Sequence, residues 1–287
     1  MSLANHHAKA LLDQLKIRSL PIDPYDICER VGILVKEDDC EGYTGMLLVV
    51  GEKALISVKS SIREQSRKRF TVAHELGHYN IPEHLADGRT YFKCTDKDLD
   101  TFDKKGNLES EANEFGAELL MPTFIYQELV NARKPGWDNI KELAVISQTS
   151  LTSTAIKFVD LTDYACALIV SERRMISWFH KSKEFNAYVQ MEGRFVSPGT
   201  IAYSIFRGSA PPDYFEAVKA DNWLSGRGVK PHTEILEWSL PINSYGQVLT
   251  LLFDEEGIQE WEEDDFEDDD DDVKWDPPSF HKSKRKK

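Results

Sequence analysis

Apolar positions along the first 160 residues recur mostly at helical period, broken once by two runs that read as strands. AKALLDQLKIR, residues 8–18, is amphipathic at helix spacing, and a second helix is expected over 24–32, with Pro24 in the first turn, where proline is tolerated. GMLLVV and ALISV, separated by Gly51-Glu52-Lys53, form a hairpin signal. Ser61-Ile62-Arg63-Glu64 has capping-box spacing, so a helix is expected from Ser61 through Phe70, Ala73, Leu76 and Gly77, ending before Pro82. Residues 83–107 read as polar and irregular, with a turn signal in DKKGN. A helix follows over 108–121, closed by Pro122, then another over 123–133 and two short helical patterns over 139–160. Beyond residue 163 the pattern changes: ACALIV and MISWFH, joined by SERR, and later EILEWSL and GQVLTLLF are strand-like, with IAYSIF helical between them. The pattern predicts an α+β chain with a mostly helical first part, a β-containing second part and no internal repeat.

Composition changes this picture at one end. The net charge is −14, yet residues 254–272, DEEGIQEWEEDDFEDDDDD, carry fourteen acidic side chains and no Lys or Arg. Without them 35 acidic residues face 35 basic ones, so the globular part is balanced and the excess sits in the tail. Residues 254–287, acidic and then basic (HKSKRKK), are expected to be disordered. A solubility role is the plain reading of that tail, and shielding of a basic surface the sharper one. No apolar run approaches the roughly 18–20 residues of a membrane span, and the first residues lack the basic-then-apolar order of a secretion signal. Cys28, Cys40, Cys94 and Cys166 are scattered without a CxxC pair, which points to free thiols in a reducing cytoplasm.

The chemistry concentrates in FTVAHELGHYN. His74 and His78 stand four apart on the expected helix and can direct both rings at one point. Neutral imidazoles suit zinc, which in catalytic sites takes three protein ligands and leaves one position open. Glu75 lies about 100° round the helix from His74, where it suits a general base acting on water at the metal. Chance alone places HExxH in roughly 2% of chains of this composition, so the motif needs a second signal. Glu109-Ser110-Glu111-Ala112-Asn113 supplies one: Glu109 and Asn113 share a helix face, the first as third ligand and the second as a hydrogen-bond partner that fixes a ligand imidazole's tautomer. Ala112, Gly116 and Ala117 are small enough for a close helix approach. Glu111 is the rival ligand, ranked second because it points away from Asn113. The plain readings are a polar helix face with two solvated or core histidines, and a first-turn carboxylate favouring the helix dipole.

RFTVAHELGHY followed by ESEANEFGAELLMP resembles the ImmA/IrrE family of metallopeptidases, similar to thermolysin-type enzymes in pairing HExxH with a downstream glutamate. DPYDICERVGI, ELAVISQTSLTSTAIKFVDLT, CALIVSERRMISWF and YGQVLTLLF also look like family segments, which extends the likeness over about residues 8–253. The resemblance implies His74, His78 and Glu109 as metal ligands, Glu75 as the base and Asn113 as the supporting residue. It implies zinc, with manganese or another divalent ion as the alternative. It divides the chain into a zincin-like peptidase domain over 1–138, a helix-turn-helix-like unit over 139–163 and an α/β, GAF-like sensor domain over 164–253. The strand ALISV resembles the edge strand that pairs with an extended substrate in such peptidases. Gly116 departs from the family's usual alanine, and residues 83–107 are longer than the family leads one to expect. Tyr79, Tyr91 and His84 are oxyanion candidates by type and position, with none preferred.

Two functions follow from different classes. The first is a cytoplasmic zinc endopeptidase that cleaves a regulatory protein, in this family typically a helix-turn-helix repressor, in stress or mobile-element control. The second is a non-enzymatic regulator that binds DNA or a partner through residues 140–159. That unit has helix-turn-helix spacing, but Gln148 stands where the turn usually has glycine, and its second helix offers Lys157 and several Thr and Ser but little positive charge. A helical subdomain packed on the peptidase is the favoured reading of it. Intact HExxH together with Glu109 favours the enzyme.

Overall fold

A computed structural model describes residues 2–39, 41–86, 88–99, 108–190, 193–226, 229–242 and 246–258, in a mixed α+β fold. Cys40 and all of the acidic tail beyond residue 258 lie outside the described residues. No helix among those described is long and apolar enough to cross a membrane.

The chain opens with α1 (Leu3–Gln14), capped by Ser2, and α2 (Pro24–Arg30), where the Asp23 side chain accepts from the Tyr25 amide and Pro24 occupies the first turn. Strands β1 (Ile33–Asp38), β2 (Gly45–Val50) and β3 (Lys53–Lys59) follow. The expected hairpin forms with Val50 opposite Lys53, and Gly51 takes the positive φ its tight turn requires. The sheet is larger than a hairpin, however. β1 lies parallel to β3, and β4 (Tyr91–Cys94) pairs antiparallel with β2, giving the order β1-β3-β2-β4. The segment ALISV is therefore paired on both sides and is not an edge strand. Beside the candidate site, the edge among the described strands is β4.

Between β3 and β4 come α3 (Gln65–Asn80) and the short α4 (Pro82–Leu85). The capping box at Ser61 does not form: the Ile62 amide closes a turn onto Lys59, and Glu64 is the N-cap without a side-chain hydrogen bond. The helix begins at Gln65 because this turn is still needed to leave β3. Every residue of α3 from Lys68 to His78 except Phe70 is buried, so the helix runs through the interior. After α5 (Asp96–Leu99), α6 (Leu108–Leu120) packs along α3. Glycine sets that spacing from both sides. A Cβ on Gly77 would come within 3.0 Å of the Ala112 Cα, and one on Gly116 within 3.2 Å of the His74 amide nitrogen.

Helices α7 (Thr123–Asn131), α8 (Trp137–Ser147) and α9 (Leu151–Leu161) complete the helical part. The turn between α8 and α9 has Gln148 in the left-handed region at φ 55°, the position usually given to glycine. The Ser150 side chain caps α9. α9 packs on α7 on one side and on the second sheet on the other, and the Lys157 ammonium is spent internally on Glu118 at 2.7 Å and on Thr123 at 2.9 Å. The one cation expected to meet phosphate is thus engaged inside the fold.

The remainder is an antiparallel sheet of β5 (Cys166–Glu172), β6 (Met175–Lys181), β8 (Glu216–Lys219), β10 (Glu234–Ile242) and β11 (Gln247–Phe253), in the order β6-β5-β11-β10-β8. β7 (Tyr188–Val189) pairs with β9 (Leu224–Ser225), and α10 (Ile201–Phe206) lies against β10. One face of the five-stranded sheet (Leu168, Val170, Leu249, Leu251) joins the hydrophobic core of the helical part. The opposite face (Ala167, Ile169, Val248, Leu252) packs with Trp223 and Phe185 in a second core. The Trp137 indole donates to the Trp238 carbonyl at 2.6 Å across the junction, so the first core runs past residue 163 while the second lies wholly beyond it.

Candidate metal centre

α3 and α6 bring His74, His78 and Glu109 together. The two Nε2 atoms are 3.2 Å apart, and Glu109 Oε2 lies 3.1 Å from His74 Nε2 and 3.4 Å from His78 Nε2. Both histidines are fully buried, while Glu109 retains some exposure. Glu111, the rival, points elsewhere and meets His84 Nε2 at 3.0 Å.

The protons in this site can be assigned from the hydrogen-bond network. Asn113 donates its Nδ2–H to the Asp98 carbonyl at 2.8 Å, so its oxygen faces His74 Nδ1, also at 2.8 Å, and must accept. The His74 proton therefore sits on Nδ1 and the Nε2 lone pair faces the centre. On the other ring, Glu111 accepts from His84 Nε2–H, which leaves His84 Nδ1 to accept from His78 Nδ1–H at 2.9 Å. His78 Nε2 likewise turns a lone pair inward. Two imidazole nitrogens and a carboxylate oxygen thus converge on one point, an arrangement that suits a cation. Ligands at about 2.0–2.1 Å around a tetrahedral zinc stand about 3.3 Å from one another, and the three observed separations bracket that figure. The donor set fits a zinc-like ion.

The electrostatics describe what the same atoms do as bare side chains. Burial disfavours a charged His74, but the hydrogen bond to Glu109 and the charges of Glu75 and Glu109 outweigh it and raise its pKa. His78 is pushed down to about 4, chiefly by burial, with His74 adding to the effect. Burial works against ionised Glu109, yet the two imidazoles win and hold it at about 2. One proton on His74 then occupies the place a metal cation would take.

Glu75 stands apart from the triad. Its Oε1 accepts from the Cys94 thiol at 2.9 Å, and its buried Oε2 has no hydrogen-bond partner. Complete burial, with a contribution from Glu109, raises its pKa to about 7. Gly45 makes this placement possible: a Cβ there would lie 2.5 Å from Thr71 Cγ2, 2.7 Å from Glu75 Oε1 and 2.9 Å from Cys94 Sγ. His74, Glu75 and Cys94 also cluster closely enough to suggest ligands. Without a metal the Cys94 thiol donates to Glu75, and burial with the neighbouring carboxylate raises its pKa.

Cys94 and the Asp98 carbonyl were not legible as parts of the site, and His84 and Glu111, read as an oxyanion candidate and as the rival ligand, were not expected to pair with each other. Cys94 lies in the stretch read as irregular, on a four-residue strand, Tyr91–Cys94, whose exposed–buried alternation shows only in the structure. Phe92 from the same strand stacks on His78 with centroids 4.0 Å apart. His84, an oxyanion candidate, is buried and bound to His78, and so does not face a substrate. Tyr91 is exposed and Tyr79 partly buried.

Against known proteins, residues 28–150 match a model of the IrrE N-terminal-like domain, peptidase family M78. This stretch is similar to the IrrE-like domain. It holds every residue of the metal centre and ends at the turn before α9. No curated protein matches the chain significantly. Among solved structures, a Mycobacterium tuberculosis transcriptional regulator is similar in fold, with a TM-score of 0.54 at 12% identity, covering 88% of this chain and 76% of that one. The likeness to that regulator reaches beyond the IrrE-like stretch into the second sheet.

Proposed function

We propose that this protein is a zinc-dependent endopeptidase acting on a regulatory protein in the cytoplasm, with a helix-turn-helix repressor as the favoured substrate class. The observation that carries the reading is the convergence of two inward lone pairs and one carboxylate beside a buried glutamate with an unpartnered oxygen. His74, His78 and Glu109 would hold the ion, and Asn113 keeps the His74 proton on the far nitrogen. A divalent ion there supplies polarisation of the scissile carbonyl and acidification of water. Glu75 Oε2 accepts the proton of the attacking water and returns it to the leaving amine, a role suited to a carboxylate whose pKa is raised to about 7. An extended peptide can add to β4, which pairs with β2 alone among the described strands and borders the site through Phe92 and Cys94.

The rival reading, a regulator that contacts DNA through α8 and α9, has less support. Lys157 is bonded to Glu118, and α9 is packed between α7 and the second sheet. The experiment is incubation with a denatured proteome digest, reading new peptide termini by mass spectrometry. Cleavage by the zinc-loaded protein that disappears with EDTA and with Glu75→Gln is expected. Cleavage that survives in Glu75→Gln would place the base elsewhere.

A further inference from the structure

We infer that His84 and Glu111 are positioning residues for the metal centre: a directed relay, Glu111–His84–His78, that fixes which nitrogen of His78 faces the ion. The inference rests on the metal reading above and concerns how one ligand is held.

His84 sits on α4, whose Pro82 opens the turn and whose His84 amide returns to the Ile81 carbonyl at 3.0 Å. This turn carries the imidazole under the metal helix, where it is buried beside His78 with ring centroids 4.9 Å apart. Two neutral imidazoles joined through their Nδ1 atoms could be polarised in either direction. Glu111 decides it, because an ionised carboxylate only accepts. His84 must then give its single proton to Glu111 and take the proton of His78, which leaves the His78 Nε2 lone pair pointing inward. Phe92 stacks on the His78 ring face and packs the imidazole in place. The two ligand histidines are thus oriented by different devices from the same helix. Asn113 orients His74 with one hydrogen bond, while Glu111 orients His78 through an intermediary. The sequence carries this as Glu109, Glu111 and Asn113 at alternating positions: ligand, relay terminus and direct partner.

A merely structural role for His84 would lower the stability of the metal-free protein without altering how tightly the folded protein takes zinc. The test therefore measures zinc affinity by competition with a chromophoric chelator, together with the melting temperature of the metal-free form. The proteins are wild type, His84→Ala, Glu111→Leu, which removes the acceptor, and the double variant. His84→Ala is expected to weaken zinc binding about 10- to 100-fold, the range for lost support of a ligand histidine. Glu111→Leu should give a smaller loss, and the double variant should bind no more weakly than His84→Ala alone, since Glu111 acts through His84. Affinities within twofold of wild type in both single variants would overturn the relay, as would losses that multiply in the double. If His84→Ala does not fold, Glu111→Leu carries the test, because leucine offers His84 no acceptor and position 111 reaches the surface, and an unchanged affinity there is sufficient to reject it. A wild-type protein that binds no zinc would overturn the metal reading and this inference with it, whereas a zinc-binding wild type with indifferent variants would overturn the relay alone.

Discussion

Glu75 holds one carboxylate oxygen against the Cys94 thiol and leaves the other bare in a fully buried position. Replacing it with Gln keeps the shape and removes the basic oxygen. Glu75→Gln is expected to retain stoichiometric metal while losing about 100-fold or more in peptide hydrolysis, checked by metal content and turnover on one cleaved peptide. A second expectation concerns the metal-free protein. The folded pKa of about 7 lies above the ordinary 4.5, so ionisation is disfavoured by folding. The contribution of Glu75 to stability is therefore full below pH 4.5 and is lost as pH rises through 7. The melting temperature of wild type relative to Glu75→Gln should fall across that window, and a gap independent of pH would contradict the burial account. At this scale the i, i+4 histidines, Glu75, Glu109 and Asn113 were legible because helix geometry alone brings such pairs onto one face. Cys94 was not, nor was the place of His84 beside His78. Their carboxylate partners are 19 and 27 residues away, and no local period links a thiol on a four-residue strand to a carboxylate on a helix.

The contact between α3 and α6 is the element on which the centre depends. Gly116→Ala places a Cβ about 3.2 Å from backbone at His74, which cannot yield as a side-chain tip would. A loss of about 1–3 kcal/mol is expected from such overpacking, measured by denaturant unfolding of the metal-free protein. An unchanged midpoint would show that the helices are not in close contact there. α9 provides a separate expectation. Lys157→Ala leaves the nearly buried Glu118 without its cation and should cost about 3 kcal/mol by the same measurement. A neutral effect would free that lysine for other partners. Helices were readable here because their periods are long and their stops are Pro82 and Pro122. The start of α3 was misjudged because Ser61 was needed in the turn leaving β3. ALISV was misjudged as an edge because the pairing of β1 with β3 is parallel and non-local, which alternation along one strand does not reveal.

Across the whole molecule, an IrrE-like stretch is continuous in its core with the second sheet, and the Trp137–Trp238 hydrogen bond lies at the junction. The change of pattern near residue 163 was legible in sequence, but the sharing of one core was not, since strands buried on both faces look alike whichever partner covers each. Thermal unfolding followed by tryptophan fluorescence and by far-UV circular dichroism is expected to show coincident transitions. Two separated transitions would argue for independent domains. Everything proposed for the centre depends on one divalent ion held by His74, His78 and Glu109. The most direct measurement is elemental analysis of the purified protein beside Glu109→Ala. One zinc or equivalent ion per wild-type chain, largely lost in the variant, is the predicted result, and either no metal in wild type or equal metal in both would contradict it.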